Sequence, residues 1–338
     1  MMGRLPCFLT QKQLHCKGMG NTLAQSVLKT LAFFDIFDYP LTREELWRFL
    51  WQAPEIQYSD FVIQVEEILQ NELATTVESL GGYYFFPGRS ELIAKRERKV
   101  SYTEEKIKIA CRAARKLRYI PFIEAMFVCN LLPVVVKASS DIDVLIIAKE
   151  NRIWFTRFLS TLVLTLFRLR PTNFGFSFFS ANKKKSMTDK ICLSFYLTEK
   201  HLDLSNICIE GIDVYQAYWN INLVPLYERE DLHTQFQKKN RWVEKYVSPA
   251  NTSVRLLPRW KVHDTWLSYG VKSFFAWLFS TSFFEKLVRT VQLKHLNQKE
   301  RIEEVAIQKS IVISDTMLKF HENDRKKYFQ NEWEKRFS

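Results

Sequence analysis

The sequence predicts an α+β protein in which helix clearly exceeds strand, and three observations carry that prediction. Residues 21–93 show three stretches of helical spacing, then two short alternating runs around a Gly-Gly pair. Residues 94–225 set short apolar runs between helical stretches, which suits a small mixed sheet with flanking helices. Residues 226–338 are dominated by helical spacing. The first 20 residues read as a tail. A chain of 338 residues is long enough for two or three such units.

In the first unit Leu23, Val27, Leu28, Leu31 and Phe34 fall on one helical face. "DYPLT" (38–42) ends that pattern, and Thr42 with Glu45 three residues on forms a capping box for a second helix. "FVIQVEEIL" (61–69) reads as a third helix. "TTVESLGGYYFF" (75–86) reads as a hairpin turning at Gly81-Gly82, where glycine takes positive φ without strain. Three helices and a hairpin in this order make a winged helix. The third helix of such folds often enters DNA, yet residues 56–72 hold four acids and no Lys or Arg. Phosphate neutralisation dominates DNA affinity, so DNA binding by this helix is not expected. A protein contact, or shielding of the rest of the chain, is expected instead.

Charge is distributed unevenly. The net charge is +12, but residues 22–93 carry four basic residues against eleven acids, a net of −7 that leaves +19 elsewhere. A basic surface of that size attracts nucleic acid, nucleotides or anionic lipid. The six cysteines contain no CxxC pair and the six histidines no HExxH, which argues against a disulfide framework, a zinc finger or a His-ligated metal. A reducing, cytoplasmic setting is expected, and the first 20 residues lack a secretory h-region. Two apolar runs, "FLSTLVLTLF" (158–167) and "SFFAWLFSTSFF" (273–284), are shorter than the roughly 20 residues a membrane span needs. Both read as buried helices, the second alternatively as docking on a membrane surface or a partner.

The chemistry centres on "SSDIDVLIIA" (139–148). Side chains alternate along a strand, so Asp141 and Asp143 share one side while Ile142, Val144 and Ile146 take the other. Two like charges so placed repel, and a divalent cation between them relieves the repulsion. Mg2+ is commonly held by one or two carboxylates plus substrate phosphates.

"AMFVCNLLPVVVKASSDIDVLIIA" (125–148) resembles the signature of the DNA polymerase β-type nucleotidyltransferase superfamily, particularly its minimal members. That signature is an apolar strand ending in Gly-Ser, about ten residues, then an aspartate pair leading a second apolar strand. Here "AMFV" (125–128) supplies the first strand, and ten residues separate Asn130 from Asp141. The likeness extends over about residues 22–225, where the chain resembles bacterial proteins joining a winged helix to such a core. The resemblance implies a Mg2+- or Mn2+-dependent transfer of a nucleoside monophosphate from an NTP to a hydroxyl on RNA, protein or a small molecule. It implies that Asp141 and Asp143 hold the metal. It places Cys129 and Asn130 at the Gly-Ser turn, where Cys129 puts a side chain in the place of a glycine that lets backbone approach phosphate. It also implies a third carboxylate on a neighbouring strand. The candidate strand, "ICLSFYL" (191–197), has Ser194 at its middle and no acid, so Asp189 just before it is the candidate. The departures at Cys129 and at the third acid leave an alternative: a degenerate relative that binds nucleotide, RNA or protein without turnover.

Further phosphate contacts are expected from Ser140, beside the pair, from Lys137, four residues before Asp141, and from Arg157, whose fork suits bidentate contact. Lys108, Arg112, Arg115 and Lys116 fall near one helical face as a candidate polyanion track, and "KKK" (183–185) is a basic loop. In the last third no catalytic motif stands out. Trp260, Trp266 and Trp277 read as core there, and His321 near Asn323 and Asp324 reads as a helix-terminus cap.

Overall fold

The computed structural model describes residues 22–129, 136–170, 188–248, 258–300, 311–320 and 325–337. Asn130, the 183–185 lysines and the His321–Asp324 cluster lie outside them. The described residues are mixed α and β, with 52% helix and 16% strand, so helix dominates as expected.

The chain opens with α1 (Leu23–Asp35), started by a capping box in which Thr22 and Gln25 exchange hydrogen bonds. After a turn, β1 (Leu41–Thr42) leads into α2 (Arg43–Arg48), whose Thr42–Glu45 box is the one the sequence predicts. The third helix, α3, covers Tyr58–Gln70. Strands β2 (Glu78–Leu80) and β3 (Tyr83–Phe85) form the hairpin, with Gly81 at φ 60° and Gly82 at φ 82°. β1 adds to β3, giving a three-stranded sheet.

The core of this unit gathers Val27, Leu31, Phe34, Leu46, Trp51, Phe61 and Val65. Tyr218, Val243 and Trp333, from much later in the chain, belong to the same cluster. Trp51 stacks on Tyr246 at 4.9 Å and meets the edge of Trp333 at 5.1 Å. The N-terminal unit is thus completed by distant segments rather than closed on itself.

Helix α4 (Leu92–Leu117) begins where residue 93 was expected to end the first unit. At 26 residues it is about 39 Å long, enough to tie the two cores together. Near its start the buried Arg96 grips Glu45 at 2.6 and 3.0 Å and lies over the rings of Tyr39 and Tyr83. Near its end Ala110, Ala113, Ala114 and Leu117 pack on the main sheet.

That sheet is built from β4 (Ile123–Val128), β5 (Ile142–Ala148), β6 (Ile191–Thr198) and β7 (Val224–Glu228), with β8 (Ile311–Ile313) and β9 (Met317–Phe320). Among the described residues its order is β7-β4-β5-β6-β9-β8. β5 and β6 run parallel, and the other neighbours are antiparallel. Helix α5 (Ile153–Leu166) lies between β5 and β6 in the chain, as a parallel pair requires. The C-terminal third therefore contributes strands as well as helices; β8 and β9 are three and four residues long, too short for alternation to show in a helical background.

Both faces of the sheet are covered. Ile142, Val144, Ile146 and Ala148 face α4 and α5, while Leu145 and Ile147 face the opposite way with Phe127 and Phe195. α6 (Val214–Ile221) and α7 (Leu232–Lys239) flank β7. The last helices are α8 (Trp266–Leu278), α9 (Ser282–Glu300) and α10 (Lys326–Phe337).

The apolar run 158–167 is only partly buried, with Phe158, Leu162, Leu166 and Phe167 exposed, and the run 273–284 departs further from expectation. It is split between α8 and α9, and it is not buried: Phe274, Trp277, Leu278 and Phe283 are exposed. Trp266 is 86% exposed and Trp277 71%, so neither belongs to the core. In α8 the buried residues are Ser268 and Lys272 instead. Lys272 donates to the Ile123 carbonyl at 2.6 Å and to the Tyr227 hydroxyl at 2.7 Å. No helix among the described residues is long and apolar enough to cross a membrane.

Candidate metal and phosphate site

The site forms where β4 ends and β5 and β6 begin. The Cys129 amide donates to the Asp143 carbonyl at 3.0 Å, continuing the β4–β5 ladder and setting Cys129 beside the aspartates. Strand alternation then places Asp141 and Asp143 on the face of Leu145 and Ile147. Both aspartates are partly buried.

A third ligand atom comes from β6. In the parallel pairing Asp143 lies opposite Cys192, and a register shift between there and Leu145–Phe195 inserts an extra residue into β6. Bulges of this kind re-aim side chains. One ligand atom each from Asp141, Asp143 and Cys192 lies within 4.8 Å of the others. On this neighbouring strand Cys192 joins the aspartates, in place of the Asp189 expected as the third acid.

The electrostatics are those of crowded anions. Burial, then the charge of Asp143, raises the Asp141 carboxyl above the usual range; its own amide, the Cys192 thiol and Lys106 act against that rise. The Cys192 thiol is pushed up to about 12, first by burial and next by Asp143. Burial also drives the Cys129 thiol well above its ordinary value, with Asp143 adding to the effect. Two neutral thiols and two close carboxylates thus share one end of the sheet. The carboxylates suit a hard divalent cation, which offsets their repulsion. A thiol suits a softer metal, and it ligates well only as the thiolate.

Asp189 does not join this group. It stands at φ 59° just before β6, and its carboxylate receives the ammonium of Lys106 at 2.8 Å. Lys106 is the residue that sequence reasoning missed. Its side chain is 2% exposed, and its ammonium also donates to the Ser140 carbonyl at 2.6 Å. One buried cation on α4 therefore pins the turn before β5 and the turn before β6 together. Nothing in the pattern of α4 marks Lys106, because it sits among nine other basic residues between 95 and 118.

Ser140 spends its hydroxyl within the same turn, donating to the Lys137 carbonyl at 3.0 Å. Lys137 is exposed on that turn. Arg157 is elsewhere. It leaves α5 one turn from the helix start, where it bonds Gln292 and lies 4.6 Å from the Phe320 ring centre. Packing against β9 and α9 thus replaces the phosphate contact expected of it. On the candidate polyanion track, Lys108 pairs with Glu104 at 3.2 Å and Lys116 lies over Phe167 at 4.3 Å.

Comparison with known protein families, with curated proteins and with solved structures gave no match to this chain.

Proposed function

We propose that the protein is a divalent-metal-dependent nucleotidyltransferase of the polymerase β type, acting from the end of β5. The observation that carries this reading is the convergence of Asp141, Asp143 and the Cys192 position at one end of a parallel strand pair, beside Cys129. Asp141 and Asp143 would hold the cation, which supplies charge neutralisation at the transferring phosphoryl group. Lys106 is a positioning residue: by tying Ser140 and Asp189 to α4 it fixes the approach of both strands. In the transfer a hydroxyl oxygen loses its proton to solvent water and bonds to the α-phosphorus, the bond to the bridging oxygen breaks, and pyrophosphate leaves with those electrons. The chain contributes mainly orientation and electrostatics, as in other phosphoryl transfers.

A second reading, binding without turnover, is favoured by Cys192. A thiol whose proton is held up to pH about 12 is no general base for the attacking hydroxyl. Asp189, engaged by Lys106, does not fill that role from its observed position.

For the N-terminal unit we favour a winged helix turned to contacts within the chain. The outward positions of α3 include Asp60, Ile63, Gln64 and Glu67, with no cation among them. Its core is shared with α6 and α10.

Labelled nucleoside triphosphate is expected to bind in the presence of Mg2+ or Mn2+, and at least 100-fold more weakly to the Asp141→Ala, Asp143→Ala variant. Metal-dependent binding without pyrophosphate release selects the second reading. Binding that ignores both the metal and the double substitution removes the two readings together.

A further inference from the structure

Next to the turn that carries Ser140 lies a cavity of about 510 Å³, walled by the end of α1, the first half of α4, residues 136–138 and α10. Among the described residues, five cations line it: Lys95, Arg98, Lys99, Lys137 and Arg325. Asp38 is the one acid among those described in the lining, and its carboxylate already pairs with Arg89. Lys95 is shared with Glu91 at 3.7 Å, and Lys99 donates to the Phe37 carbonyl at 2.9 Å. Arg98, Lys137 and Arg325 have no carboxylate partner among the described residues. Like charges gathered in one concavity repel unless an anion joins them, and a walled cleft focuses their field outward.

Aromatic rings line the same space. Tyr328 is 49% exposed, with the Arg325 guanidinium 5.0 Å from its ring centre. Phe329 is held by Tyr215, stacked at 4.8 Å, and by Phe37 at 5.1 Å. Tyr102 completes the set. Cations that follow a backbone, together with rings that accept a base face, are the two components of single-stranded nucleic-acid binding.

We propose that this cleft binds a single-stranded nucleic acid, with Arg98, Lys137 and Arg325 on its phosphates and Tyr328 offered to a base. Lys137 lies four residues before Asp141, so the cleft and the aspartates are within about 14 Å along the chain. The strand is then placed as the hydroxyl acceptor. That role rests on the nucleotidyl-transfer reading, whereas the binding itself does not. The acidic α3 stays out of the contact, and the basic remainder of the chain supplies it.

The test is fluorescence anisotropy of labelled ten-nucleotide RNA and DNA strands with the full chain, in EDTA and at several salt concentrations. Three phosphate contacts on a single strand give a log–log salt slope of about −2. Each of Arg98→Gln, Lys137→Gln and Arg325→Gln should weaken binding about 8-fold at 50 mM salt and reduce the slope by about 0.7. The surface variant Lys108→Gln with Arg112→Gln, on the other stretch of α4, should bind as the unaltered chain does. Asp141→Ala with Asp143→Ala should also retain strand binding. Strand binding in EDTA without metal-dependent pyrophosphate release upholds the cleft and defeats the transfer reading. Absence of strand binding at low salt overturns the cleft, as does a loss in the Lys108, Arg112 variant equal to that in the cleft variants. The RNA and DNA arms show which sugar the cleft accepts.

Discussion

Helices α1 and α8 are each 13 residues long, and each begins with a threonine capping box. Their apolar sides meet opposite fates. α1 buries Val27, Leu31, Phe33 and Phe34 in the N-terminal core. α8 turns Trp266, Tyr269, Phe274 and Trp277 outward and buries Ser268 and Lys272. Spacing announced α1 and its apolar face, and the apolar run 273–284 announced helix, but the run did not show which side of α8 faces inward. For α8 the choice is made by polar contacts: Lys272 meets the Ile123 carbonyl and Tyr227, and Ser268 donates to Asp264 at 2.9 Å. A buried carbonyl left without a donor is costly, so a lysine can anchor a helix by its polar side.

The largest expected effect tests the conventional partner. Phe34→Ala should lower stability by about 3–5 kcal/mol, because it opens a cavity among Phe49, Tyr39 and Tyr218. Urea denaturation reads the loss directly. A loss below about 1 kcal/mol would mean that the α1 face is not a packed core.

A smaller effect tests the inverted helix. Burial lowers the Lys272 ammonium from 10.5 to about 8, so the unfolded chain binds its proton more tightly than the folded one. Stability is therefore reduced below pH 8 and recovers as pH rises toward 10.5. Between pH 7.5 and 9.5 this group should add about 2 kcal/mol of stability. In Lys272→Met that increment should vanish, and an unchanged pH dependence would place the ammonium in water.

The smallest effect sharpens the comparison most. Trp266→Ser and Trp277→Ser should each change stability by less than about 0.5 kcal/mol, as exposed substitutions do. They should also reduce binding of an apolar dye to the protein. If either costs as much as Phe34→Ala, the outward face of α8 is in fact covered.

The same distinction between pattern and placement runs through the candidate site. The alternation that pairs Asp141 with Asp143 is a property of any strand, and the β4–β5–β6 order follows from apolar runs separated by one helix. The place of Cys192 was not legible, because it depends on the parallel register with β5 and on the extra residue in β6. Reading the middle of "ICLSFYL" pointed to Ser194, two positions further along the strand. Lys106 was not singled out at all, and Arg157 was read by type and neighbourhood. One proves buried against Ser140 and Asp189, and the other is drawn to Gln292 and Phe320.

The sequence by itself determined the elements whose causes are local. Thr42 with Glu45 starts a helix, Gly81-Gly82 turns a hairpin, and an i, i+2 pair of aspartates shares a strand face, all through contacts within a few residues. Only the tertiary structure decided which distant groups meet: Trp333 with Trp51, Lys106 with Asp189, and α10 with α4 around the basic cleft. Those meetings depend on burial and hydrogen-bond satisfaction summed over the whole chain, which spacing along a single segment does not encode.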